Sequence, residues 1–175
     1  MNTTVEDLLV LPGQGKNIND HIFITVGTEH TGGVFSAMKV TLAPHQLLAP
    51  HTHDTEDQAV YVISGEIEFE VGGEGGLRFT APAGSFVRKP AGVEHCFWNA
   101  TDTPSDYIEL NAGERFQRFV EATANGAIRA AIGSDKKYGV TINYARVPGM
   151  LAKNRLTSVA TMNMPWEGMA PPKFG

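Results

Sequence analysis

Residues 66–71 read EIEFEV, with Ile67, Phe69 and Val71 alternating without exception against Glu66, Glu68 and Glu70. A period of two fits a strand that has one face in a core and the other in water. Similar short runs recur on both sides. HIFITV and GGVFSAMKVTLA flank GTEHTGG and read as an antiparallel hairpin, and QAVYVIS reads as a strand ending at the Ser64–Gly65 turn. LRFTAPAG, SFVRKPAG, EHCFWNA and SDYIELN continue the series, broken each time by Gly, Pro or a polar turn. APHQLLAP, with a proline near each end, reads as a connection between strands. The 19 Gly and 10 Pro supply the turns that so many short strands need. A β-sandwich or small barrel around one core follows.

After Gly113 the period changes. ERFQRFVEAT places Phe116, Phe119 and Val120 at helical spacing, which predicts an amphipathic helix docked on the outside of the barrel. GAIRAAIGSDKKYG reads as a second, weaker helix, and the stretch from Val147 onward, with Pro148, Pro165, Pro171 and Pro172, as a mostly irregular tail. The expected division is therefore a barrel over 1–113 and a helical and irregular extension over 114–175. A formal net charge of −5 leaves no basic surface for nucleic acid or anionic membrane, so a small molecule is the expected partner. No apolar run approaches the roughly twenty residues that span a bilayer, and no cationic segment precedes the short apolar run near the start, which predicts a cytoplasmic protein. Cys96 is the single cysteine, so no internal disulfide forms.

His51 and His53 stand two apart, the spacing at which two imidazoles on a strand face the same way. Alone, such a pair is more often surface or satisfied core than a ligand pair. Its surroundings carry more information. HTH, then DTED, Gln58, AVYVIS and Gly65 form one spaced pattern, and GSFVRKPAGVEHCFWN, from Gly84 to Asn99, forms a second. The two resemble the paired motifs of the cupin superfamily, His-x-His…Glu…Gly and Gly…Pro-x-Gly…His…Asn. Two positions depart: His45 stands where the first motif begins with Gly, and Gln58 where it has a metal-binding Glu.

The resemblance implies an all-β fold, a double-stranded β-helix or jelly roll, with a C-terminal helical extension. It also implies one divalent transition metal ion (Fe, Mn, Zn, Ni or Cu) held inside the barrel by His51, His53, Gln58 and His95. The implied activity, of quercetinase-like type, is that of a dioxygenase acting on a small organic molecule. A metal-dependent isomerase or lyase is the alternative, towards which the neutral Gln58 leans because it cancels none of the ion's charge. A non-catalytic ligand-binding barrel is the third reading, and a homodimer is the expected assembly. The Gln58 amide N–H groups need an acceptor, for which Asp54, Glu56 or a backbone carbonyl is available. Val60, Phe97 and Asn99 are expected to line the substrate pocket, the last two because they share the parity of His95. Tyr61, Glu94 and Cys96 fall out of phase with the ligands, and His21, His30 and His45 read as surface residues.

Overall fold

A computed structural model describes residues 4–124 and 133–160. Two sheets face each other. One is ordered β1 (Lys16–Asn17), β2 (Ile22–Val26), β3 (Phe35–Leu42), β10 (Ser105–Ala112), β5 (Gln58–Ser64) and β8 (Phe86–Lys89). The other is ordered β11 (Val140–Ile142), β4 (Gln46–His53), β9 (His95–Trp98), β6 (Glu66–Val71) and β7 (Leu77–Pro82), with β12 (Ser158–Val159) alongside β4. From β3 to β10 the partners are β3 with β10, β4 with β9, β5 with β8 and β6 with β7, all antiparallel. This nesting is a long hairpin wound up so that its two arms cross from sheet to sheet together, a jelly roll. Leu42, Val60, Val62, Ile67, Phe69 and Phe97 have no solvent exposure and form its core.

The alternation of EIEFEV holds on its apolar side, whereas on the other side Glu70 is buried. It is covered by Arg146, which precedes a helix, α3 (Val147–Asn154). That helix and β12 lie in the stretch expected to be irregular. Pro148 opens the helix, where a missing N–H costs nothing, and Arg155 closes it at φ 55. Pro165 and the residues from 161 to 175 lie outside the described residues. APHQLLAP is not a connection either: β4 runs through it, tolerating Pro50 where the register against β9 shifts between Leu48 and His51.

The helix expected around Phe116 is α1 (Arg115–Thr123), and its apolar face is buried, with Phe116, Phe119 and Val120 at most 6% exposed. Phe116 meets the His53 ring edge-on at 4.8 Å, and Phe116 and Val120 line a cavity with Met38, Val40, Leu48 and Tyr107. The turn that aims it there is built from Gly113 and Glu56. The backbone N–H groups of Arg115 and Phe116 donate to the Glu56 carboxylate at 2.7 and 2.8 Å. Gly113 has φ 95, and a Cβ there would sit 2.5 Å from Glu56 Oε1. Of the second expected helix, residues 125–132 lie outside the described residues, and α2 (Ser134–Tyr138) sets Tyr138 against Phe119. No helix among the described residues is long and apolar enough to cross a membrane.

Candidate metal centre

On β4, Gln46 and Leu48 line the cavity, so strict alternation would turn residues 51 and 53 outward. The register shift at Ala49–Pro50 reverses the parity, and His51 lands directly opposite His95 of β9. His51, His53 and His95 are each at most 2% exposed, and one ligand atom from each lies within 4.8 Å of the others. Their ring centroids are 4.3 to 5.5 Å apart.

Two of the rings are oriented from behind. His51 Nδ1–H donates to Ala49 O at 2.7 Å, and His95 Nδ1–H to Val93 O at 3.0 Å. With Nδ1 protonated on both, each Nε2 presents a lone pair, and the two Nε2 atoms are 3.1 Å apart. Facing lone pairs at that distance repel unless a proton or a cation lies between them. Burial, helped by the charge of Lys89, lowers the His51 pKa to about 3, and burial holds His95 well below its ordinary value, so at neutral pH a shared proton is disfavoured. Burial likewise depresses His53, whose two ring nitrogens both lack a hydrogen-bond partner.

Gln58 completes the pattern. Its amide donates to Asn111 Oδ1 at 2.7 Å, and the Asn111 amide donates in turn to Ser36 Oγ at 3.2 Å. The acceptor is therefore Asn111 and not Asp54, Glu56 or a backbone carbonyl. Fixed this way round, Gln58 leaves Oε1 buried without a partner. The His53 nitrogens and Gln58 Oε1 are the only buried side-chain nitrogen or oxygen atoms without a partner among the described residues. Buried polar groups are otherwise paired almost without exception. Unpaired His53 nitrogens close to two opposed lone pairs are what a metal-free donor set looks like, so the three histidines fit a divalent ion, and Gln58 Oε1 is a further buried acceptor free to join them.

One feature of the interior was not anticipated from the sequence. Lys89 and Glu109, 1% and 3% exposed, form an ion pair inside the barrel, with Lys89 Nζ also 5.3 Å from the centre of the Phe97 ring. Glu109 borders the cavity of ≈ 90 Å³ that Phe116 closes. Parity held the signal: Glu109 alternates with Tyr107 and Asn111, and Lys89 with Val87, all of them buried. The residues expected to line a substrate pocket do not border this cavity. Val60 and Phe97 are packed in the core, and Asn99 ties a loop by donating to Leu42 O and Thr103 O, so none of the three borders this cavity. Their faces point inward, but core side chains fill the barrel at their level.

Tyr61 packs against Phe86 with ring centres 4.6 Å apart, and Glu94 pairs with Arg146. Cys96 is buried, and burial, with Glu70 nearby, pushes its thiol up to about 12. His21 and His30 are exposed. His45 is half-buried at φ 52, the left-handed conformation that a glycine adopts freely, and its Nε2 pairs with Asp102 at 2.8 Å.

Residues 38–111 match the model of the cupin domain family. No curated protein matches the chain. Among solved structures it is similar to KdgF from Halomonas sp., at 23% identity over 55% of this chain and 82% of that one, with a TM-score of 0.48. It is similar to an uncharacterized conserved protein with a double-stranded β-helix domain from Klebsiella pneumoniae, at 23% identity over 65% and 90% of the two chains, with a TM-score of 0.45. It is also similar to oxalate decarboxylase from Lactobacillus farciminis, at 21% identity over 53% of this chain and 28% of that one, with a TM-score of 0.46. The family match spans β3 to β10, the eight nested strands of the jelly roll, and that segment is similar to the cupin domain family.

Proposed function

We propose that this barrel holds one divalent transition metal ion on His51, His53, His95 and Gln58, and that it is an enzyme acting on a small organic molecule. The observation that carries the reading is the group of buried, unpaired acceptors on His53 and Gln58 beside the opposed Nε2 atoms of His51 and His95. A divalent ion held there would supply Lewis acidity, and none of the four donors would cancel its charge. The chain's own residues do the rest. Ala49 O, Val93 O and Asn111 orient the donors, and Phe116 covers the His53 ring edge-on. An anionic oxygen ligand suits such a centre, which favours isomerase or lyase chemistry on a small hydroxy or keto acid.

The dioxygenase is the second reading, favoured by the burial of the three histidines, each at most 2% exposed, which shields an oxidisable centre from solvent. Imidazole suits iron, manganese, zinc, nickel and copper, so metal analysis of the purified protein comes first. A screen of hydroxylated aromatics, keto acids and sugars, run with and without oxygen, then separates the readings. Turnover that persists without oxygen eliminates the dioxygenase, and metal-loaded protein that binds these compounds without turnover is a binding module. We include a homodimer and a cytoplasmic location in the proposal: exposed Ile63 and Phe86 on β5 and β8 offer apolar surface for a second copy. A monomeric mass by light scattering at micromolar concentration would remove the dimer.

A further inference from the structure

The cavity that Glu109 borders is not part of the metal centre, since none of His51, His53, His95 and Gln58 lines it. Its walls include Met38 and Val40 of β3, Leu48 of β4 and Phe116 and Val120 of α1, all apolar and at most 9% exposed. Part of its lining comes from β10, where Tyr107 and Glu109, 2% and 3% exposed, stand two residues apart on one face of the strand. The Tyr107 hydroxyl makes no hydrogen bond among the described residues. Of the Glu109 carboxylate, Oε1 accepts from Lys89, and Oε2 has no such partner among the described residues. Neither oxygen is one of the enclosed, unpaired atoms, so both open onto the cavity that their residues line. A free donor and a free acceptor thus stand side by side in an apolar pocket, where buried polar groups are otherwise paired.

Lys89 neutralises Glu109, and this decides what the cavity can take. An anion would be repelled by the carboxylate, and a cation would find its counter-charge already engaged. Burial, reinforced by Glu109, pushes the Tyr107 phenol well above its ordinary pKa, so it keeps the proton that it donates. A neutral hydroxyl satisfies both groups with one atom, accepting from Tyr107 and donating to Glu109. We propose that this cavity is a second binding site, separate from the metal centre, for a small neutral molecule with an apolar body and one hydroxyl, an alcohol or a phenol. On the scale where about 10–15 Å³ takes one water, the ≈ 90 Å³ here takes roughly seven non-hydrogen atoms, the size of phenol or cyclohexanol. The inference does not rest on the metal reading.

The test uses the full chain stripped of metal and titrated calorimetrically with phenol, cyclohexanol and benzene. Phenol and cyclohexanol are expected to bind, and benzene, which has no hydroxyl, to bind at least about tenfold more weakly, the loss expected when a hydrogen bond to a charged group goes unmade. Tyr107→Phe removes only an oxygen that has no partner in the chain, so its thermal midpoint should match that of the wild type. Its phenol affinity should fall roughly three- to tenfold while its benzene affinity stays as it is. Val120→Phe, which fills the cavity from α1, should abolish binding of all three probes, and if that variant does not fold, Tyr107→Phe decides alone. Equal affinity for phenol and benzene, or a phenol affinity that Tyr107→Phe leaves unchanged, makes the cavity an apolar void and overturns the inference. So does a folded wild type that binds none of the probes, or phenol binding that survives in folded Val120→Phe. Phenol that binds only after loading with Zn(II) belongs to the metal centre, which overturns this inference while the metal reading stands.

Discussion

The barrel buries two clusters of polar groups, and they are finished differently. Beneath α3, on the outer side of β6, Arg146 donates to both Glu70 and Glu94, Asn143 Nδ2 donates to Glu94 at 2.8 Å, and Arg78 lies 3.6 Å from Glu70. Every charge there has its counter-charge. Inside the barrel, His51, His95 and Gln58 are held from behind, while the His53 nitrogens and Gln58 Oε1 are buried with nothing to bind. Full pairing marks a joint that holds two parts of the chain together. Pairing on one side alone marks a site prepared for something else.

The largest effect that would break this contrast is at His53. His53→Ala is expected to abolish Zn(II) and Co(II) binding in a calorimetric titration while the far-UV circular dichroism stays as it is. Retained affinity would mean that the unpaired nitrogens of His53 are not ligands. Arg146→Met should do the reverse. It strands two carboxylates, one of them only 2% exposed, so urea unfolding should report a loss of about 3–5 kcal/mol. Metal affinity should hardly move, because the cluster lies on the other face of the sheet.

Acid should separate the regions as well. The three imidazoles have folded pKa values below the ordinary 6.5, so the unfolded chain takes up their protons first. Their contribution is complete above pH 6.5 and is lost as pH falls towards the folded values. Between pH 7 and 5.5 this costs the metal-free protein roughly 1 kcal/mol per imidazole. Thermal melts across that range should show the fall, and His53→Ala should flatten it by about a third; an unchanged slope would contradict the depressed value. The smallest expected effect is at Asn111. Asn111→Leu frees the Gln58 amide to rotate and should weaken metal binding by about 10- to 100-fold without oxygen or substrate present.

How much of this was legible in the sequence depends on how local the cause is. EIEFEV announced a half-buried strand because alternation is a property of six residues, yet the burial of Glu70 depends on Arg146, far along the chain. The histidines were legible as a pair from their spacing, but the reason that they face inward is a register shift at Pro50, where the proline suggested a loop. The parity of Gln58 against His53 was never a constraint, because residues 54–57 carry the chain from one sheet to the other. Glu109 and Lys89 were legible only as inward positions. Their meeting requires β8, β5 and β10 to lie side by side, which no local pattern states. Helix α1 was found by its period, whereas its start, which sets Phe116 against His53, is held by Glu56, a residue in a turn.

The strand that carries His51 and His53 is flanked by β9 on one edge. On the other edge β11 pairs with residues 51–53 and β12 with 46–47. Both covering strands come from beyond the segment that the family model spans. Trimmed to that segment, the chain would keep its nested jelly roll but expose the outer backbone of β4 as a bare row of amide and carbonyl groups. Such a row is a template on which other chains can add strands. Trimming would thus turn the strand that bears His51 and His53 into the place where aggregation begins.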